Sequence, residues 1–83
     1  MNKLLVTVQY PMINQEYEVF IPINKTVARV LTLLQKAILE MNIEMIPKKS
    51  DIGLYLKSTG ELLPMNEIIK NVNIKHGDVL VIL

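Results

Sequence analysis

The sequence ends on Val79-Leu80-Val81-Ile82-Leu83, an apolar run without a polar break. It is far too short for a membrane-spanning helix, which needs about 20 apolar residues. Its Val and Ile content favours a strand. A strand apolar on both faces is covered on both sides and sits in the middle of its sheet. His76-Gly77-Asp78 just before it reads as a tight turn, with Gly77 supplying φ > 0. A central strand that comes last in the chain must be flanked by strands made earlier, so the sheet order cannot follow the chain order.

The earlier segments fit that demand. From Lys3 to Tyr10, the residues Leu4, Val6, Val8 and Tyr10 alternate with Leu5, Thr7 and Gln9, which is a strand period. Pro11 to Gln15 has the composition and length of a hairpin loop. Glu16 to Ile21 alternates again, with Tyr17, Val19 and Ile21 on one face and Glu16, Glu18 and Phe20 on the other.

The period then lengthens. Val27, Val30, Leu31, Leu34, Ala37, Ile38 and Met41 cover roughly 120° of a helix surface, a core-facing stripe. Thr26 is placed to cap that helix, although Arg29 stands where a full capping box wants Glu. Arg29, Thr32, Gln35, Lys36 and Glu40 form its wet face. Pro47 forces an end, expected between Met41 and Met45. Ile52 to Leu56 reads as a short strand, Ser58-Thr59-Gly60 as a turn, and Glu61 to Leu63 as a very short partner strand stopped by Pro64. Asn66 to Lys70 suits a single helical turn that buries Ile69.

The predicted order is ββαββ, then a last β. This is an α+β fold: a mixed sheet of four to five strands packed on one helix, with the first and last strands side by side, the β-grasp arrangement. The 83 residues allow one domain, spanning 1–83, with no repeat or linker inside it. A chain this short buries only about two-thirds of its unfolded surface, so its core must be efficient.

Composition removes several function classes. At 51% hydrophobic, the chain is not a disordered segment. Without cysteine, it has no disulfide, thiol catalyst or zinc–thiolate site. Nine basic against eight acidic residues leave no electrostatic footprint for nucleic acid. No stretch suits direct membrane insertion. Met1 to Val6 resembles the start of a signal peptide, but Thr7 and Gln9 interrupt it and Pro11 follows. A cytoplasmic location is expected.

No side-chain constellation suggests catalysis. His76 has Asp78 as its sole neighbouring carboxylate, too few groups for a metal or a proton relay, and is expected to be a solvated turn residue. Glu16 and Glu18 are expected to solvate an edge strand. Lys48-Lys49 is too brief for a lipid or nucleic-acid patch. No cofactor, metal or catalytic residue is expected.

Two segments resemble ubiquitin-like proteins. One is Tyr17-Glu18-Val19-Phe20-Ile21-Pro22 followed by Thr26 to Leu31, which looks like their second strand running into the helix. The other is Ile68 to Leu80, with Asn73-Ile74 and Gly77-Asp78 in the rhythm that precedes their last strand. Within that superfamily the chain looks most like the bacterial YukD/EsaB proteins of type VII secretion loci, although Glu18 stands where they often have Asp. The resemblance implies an accessory cytoplasmic component of a secretion machine. It would bind cytoplasmic parts of that machine's membrane proteins and be recruited through them to the inner face of the membrane. Ubiquitin and the related sulfur carriers act through a C-terminal Gly-Gly, and this sequence ends Val81-Ile82-Leu83, so conjugation and sulfur transfer are not expected. The alternatives are a modifier or sulfur carrier cut from a longer precursor, and a self-associating structural module.

Alternation also nominates a site. If Leu4, Val6, Val8, Tyr17, Val19, Ile21, Leu54, Leu56, Leu80 and Ile82 face the helix, then Leu5, Thr7, Tyr55, Val79, Val81 and Leu83 face away from it. These lie on adjacent central strands, on the face that one helix cannot cover. A contiguous uncovered apolar patch marks an interaction site. Met12-Ile13 at the hairpin tip is expected to extend it.

Overall fold

The computed structural model describes residues 2–41 and 52–83. Strands β1 (Lys3–Tyr10) and β2 (Gln15–Pro22) pair antiparallel along their whole length, with Leu5 opposite Phe20 and Thr7 opposite Glu18. A 3-10 turn at Pro11–Ile13 joins them, and Asn14 closes it at φ 53. Asn is among the few residues with a side chain that take this left-handed conformation routinely.

Helix α1 spans Val27–Met41. The Thr26 hydroxyl accepts the Arg29 N–H at 3.2 Å, so the expected cap forms without the second half of the box. Two further N–H groups of the first turn, those of Val27 and Ala28, donate to the carbonyls of Glu67 and Met65 at 2.9 Å. The loop before the last strand thus fastens the helix start, satisfying groups that would otherwise need water.

Strands β3 (Leu54–Leu56), β4 (Glu61–Leu62) and β5 (Val79–Ile82) complete a five-stranded mixed sheet of order β2-β1-β5-β3-β4. β5 runs parallel to β1 and antiparallel to β3, in the centre, as its apolar composition requires. The expected helical turn is a 3-10 turn at Ile69–Asn71, and Ile69 is fully buried. Gly77 has φ 85 in its turn.

The core lies between one sheet face and α1. Val6, Val8, Ile21, Leu54, Leu56, Leu80 and Ile82 of the sheet meet Val27, Val30, Leu31, Leu34 and Ile38 of the helix, while Leu4, Tyr17 and Val19 pack at its border. Two expectations are corrected. Ile13 is buried in the core rather than exposed at the hairpin tip, because the 3-10 turn folds it inward and leaves only Met12 outside. Ala37, assigned to the core stripe, is exposed at the side of α1 nearest β2. The Met41 side chain, the helix end beyond Met41, Pro47 and Lys48-Lys49 lie outside the described residues.

Candidate protein-binding face

The face of the sheet turned away from α1 is set by register. On β1 it carries Leu5, Thr7 and Gln9, and on β2 their partners Phe20, Glu18 and Glu16. Thr7 lies beside Val79, and Gln9 beside Val81. Val81 pairs in turn with Tyr55, and Tyr55 with Leu62. All six nominated residues therefore share one surface. Leu83 joins it next to Gly53, the two exchanging backbone hydrogen bonds of 2.8 and 3.1 Å.

These residues differ in what they offer a partner. Leu83 is 44% exposed, whereas Leu5, Thr7, Tyr55 and Val79 are half-buried. Val81 is only 9% exposed, flanked on its own face by Gln9 and Tyr55, so it forms the floor of the surface rather than its relief. It does not belong to the cluster under the helix.

The strongest contributors are two residues outside the nominated set. Phe20 is 61% exposed and Leu62 is 56% exposed, one on each edge strand of the sheet. Phe20 was legible as facing away from the core, but only the Leu5 pairing puts it on the patch. Leu62 sits on a strand too short to show a period, so register alone could reveal its direction. The face thus has two apolar lobes: Phe20 with Leu5, and Tyr55, Leu62 and Leu83. Thr7 and Val79 connect them.

A polar corner borders the lobes, where the Gln9 amide donates to Glu16 Oε1 at 2.8 Å. A cleft of about 250 Å³ opens there between Gln9, Pro11, Asn14, Gln15 and Glu16. It contains one carboxylate, already engaged, and no nucleophile, so it offers no acid–base pair. Among the described residues no three His, Cys, Asp or Glu side chains are grouped to hold a metal ion. No helix of the described residues is long and apolar enough to cross a membrane.

No protein-family model matches the sequence, and no curated protein matches it. Solved structures do. The ubiquitin-like domain of EccD5 from Mycobacterium xenopi superposes with a TM-score of 0.81 at 16% identity, covering 100% of this chain and 94% of that one. A chain of an ESX-5 inner membrane complex gives 0.81 at 19% identity, but this protein covers 100% of itself and only 21% of that chain. The ubiquitin-like domain of EccD1, a type VII secretion system protein of Mycobacterium tuberculosis, gives 0.74 at 9% identity, with 100% and 99% covered. The fold is therefore the ubiquitin-like β-grasp. A chain of a toluene 4-monooxygenase complex shares it at a TM-score of 0.74 and 12% identity, covering 96% and 95%. The fold alone does not separate binding from participation in an enzyme.

Proposed function

We propose that this chain is a non-catalytic protein-interaction module that presents its open sheet face to a partner protein. The observation that carries the reading is the pair of apolar lobes left uncovered by α1, with Phe20 and Leu62 more than half exposed. Burying such residues against a partner releases water from surface the fold itself cannot cover. The module serves as an accessory cytoplasmic component of a bacterial type VII secretion system. It binds cytoplasmic parts of the machine's membrane proteins and reaches the inner face of the membrane through them. Likeness to the EccD1 and EccD5 ubiquitin-like domains supports this assignment.

The test is recovery of secretion-machine proteins from the native membrane fraction on the immobilised full chain. Phe20→Lys with Leu62→Lys is expected to abolish recovery while circular dichroism and the unfolding midpoint stay close to wild type. Unchanged recovery by that folded double variant overturns the reading. Light scattering over a concentration series distinguishes a self-associating module, which would lose its larger species in the same variant.

A further inference from the structure

β2 is a free edge of the sheet. Ile23 donates its N–H to the Asn2 carbonyl at 3.0 Å, which fixes the hydrogen-bond alternation along the hairpin. Residues in phase with Ile23, such as Val19 and Ile21, turn their backbone groups toward β1. Glu16, Glu18 and Phe20 turn their N–H and C=O groups outward, beyond the sheet. Between this edge and α1 runs a groove of about 230 Å³, lined by Val19, Ile21, Val30, Leu33, Leu34 and Ala37. Leu33 is 38% exposed in its wall.

The groove's size and border select the occupant. Its volume is below the about 300–1,000 Å³ of typical small-molecule sites. One border is a row of outward backbone donors and acceptors, which another strand satisfies in register. The helical rim carries Arg29 and Lys36 on either side of Leu33, with Glu40 beyond them. Among the described residues neither cation is held in an ion pair. A second copy of this chain fits poorly. Antiparallel pairing of β2 with itself, centred on Tyr17 or Glu18, sets Glu against Glu, and like charges directly opposite are destabilising.

We infer that this groove takes an extended segment of a partner protein, added to the sheet as a strand alongside β2. Its apolar side chains at alternate positions lie in the groove, and an acidic residue on the same face meets Arg29 or Lys36. The surface is distinct from the Tyr55–Leu62–Leu83 lobe, so it stands or falls separately from binding there.

The experiment titrates the ¹⁵N-labelled full chain with capped peptides of alternating Val and Thr that end in Asp-Glu. Matched peptides end in Lys-Lys or are N-methylated at alternate residues. Binding of the acidic peptide is expected to slow hydrogen exchange at the Glu16, Glu18 and Phe20 amides. The acidic peptide should bind about tenfold tighter than the Lys-Lys peptide, and N-methylation should abolish binding. Leu33→Glu should remove it, Arg29→Glu with Lys36→Glu should invert the charge preference, and Leu62→Lys should leave it intact. Failure of every peptide to bind overturns the inference, as does binding that perturbs Tyr55 and Leu62 instead. Protection of the β2 amides that rises with protein concentration alone assigns the edge to a second copy and also overturns it.

Discussion

Leu5 donates its backbone N–H to Nδ1 of His76 at 3.1 Å, and Gly77 returns its own N–H to the Leu5 carbonyl at 2.8 Å. β5 starts at Val79, level with Thr7, so at Leu5 the ladder has no strand to pair with. The turn supplies the missing rungs, one from a side chain and one from backbone. Asp78 braces the same turn by accepting the Lys75 N–H at 2.8 Å. His76 is therefore more than the solvated turn residue its sequence context suggests.

The geometry requires an unprotonated Nδ1, so the neutral ring carries its proton on Nε2. Nitrogen NMR of the imidazole should report that tautomer. His76→Ala should speed hydrogen exchange at the Leu5 amide and cost about 0.5–1.5 kcal/mol in urea denaturation. The effect stays modest because the site is exposed and water can replace the ring.

Tyr10 is fully buried, and its hydroxyl has no hydrogen-bond partner among the described residues. Removing an unsatisfied buried polar atom is neutral or favourable, whereas removing the ring leaves a cavity. Tyr10→Phe should equal or exceed the wild type in stability, by up to about 1 kcal/mol. Tyr10→Ala should lose about 3–5 kcal/mol. Thermal and urea unfolding of the two variants side by side check the contrast.

A β-carbon placed on Gly53 would stand 2.6 Å from Leu62 Cδ1 and 3.4 Å from Tyr55 Cε1. The nearest obstacle is the tip of an exposed side chain, so it can swing aside. Gly53→Ala should change stability by no more than about 1 kcal/mol. It should nonetheless displace Leu62 and weaken partner recovery. Loss of the Leu62–Gly53 nuclear Overhauser contacts would accompany it.

Charges at two positions on this one face should have opposite consequences. Val81→Asp sets a carboxylate into a nearly closed position and should cost about 3 kcal/mol or more. Leu62→Lys keeps its ammonium in water and should leave the unfolding midpoint nearly unchanged. Only the second variant tests binding without testing folding, and denaturant curves for both establish the difference.

Periodicity made the architecture legible. Alternation in β1 and β2, the helical stripe from Val27, and the unbroken apolar run at Val79 define the layers. Together with the turn at Gly77, they also imply the central position of β5. Fine placement escaped where local geometry outweighed pattern. Ile13 turns inward because the backbone around Pro11–Asn14 curls. Ala37 lies on the helical stripe, but at its margin over the edge strand. At the candidate face, the direction of most side chains was readable, but their exposure was not. Val81 sinks between neighbours on its own sheet, while Phe20 and Leu62 stand out at its edges. Strand pairing decides those differences, and a single sequence carries no direct record of it.

The parallel contact of β1 with β5 also governs how the domain is made. Thr7 meets Val79 only after almost every intervening residue has been synthesised. The β1–β2 hairpin can form early from local contacts, but its inner border stays open until β5 arrives. Loop closure over most of the chain must precede the reward of central pairing, which slows folding and makes it cooperative. On the ribosome, the unfinished sheet exposes one inner strand border, the kind of surface that chaperones shield from aggregation.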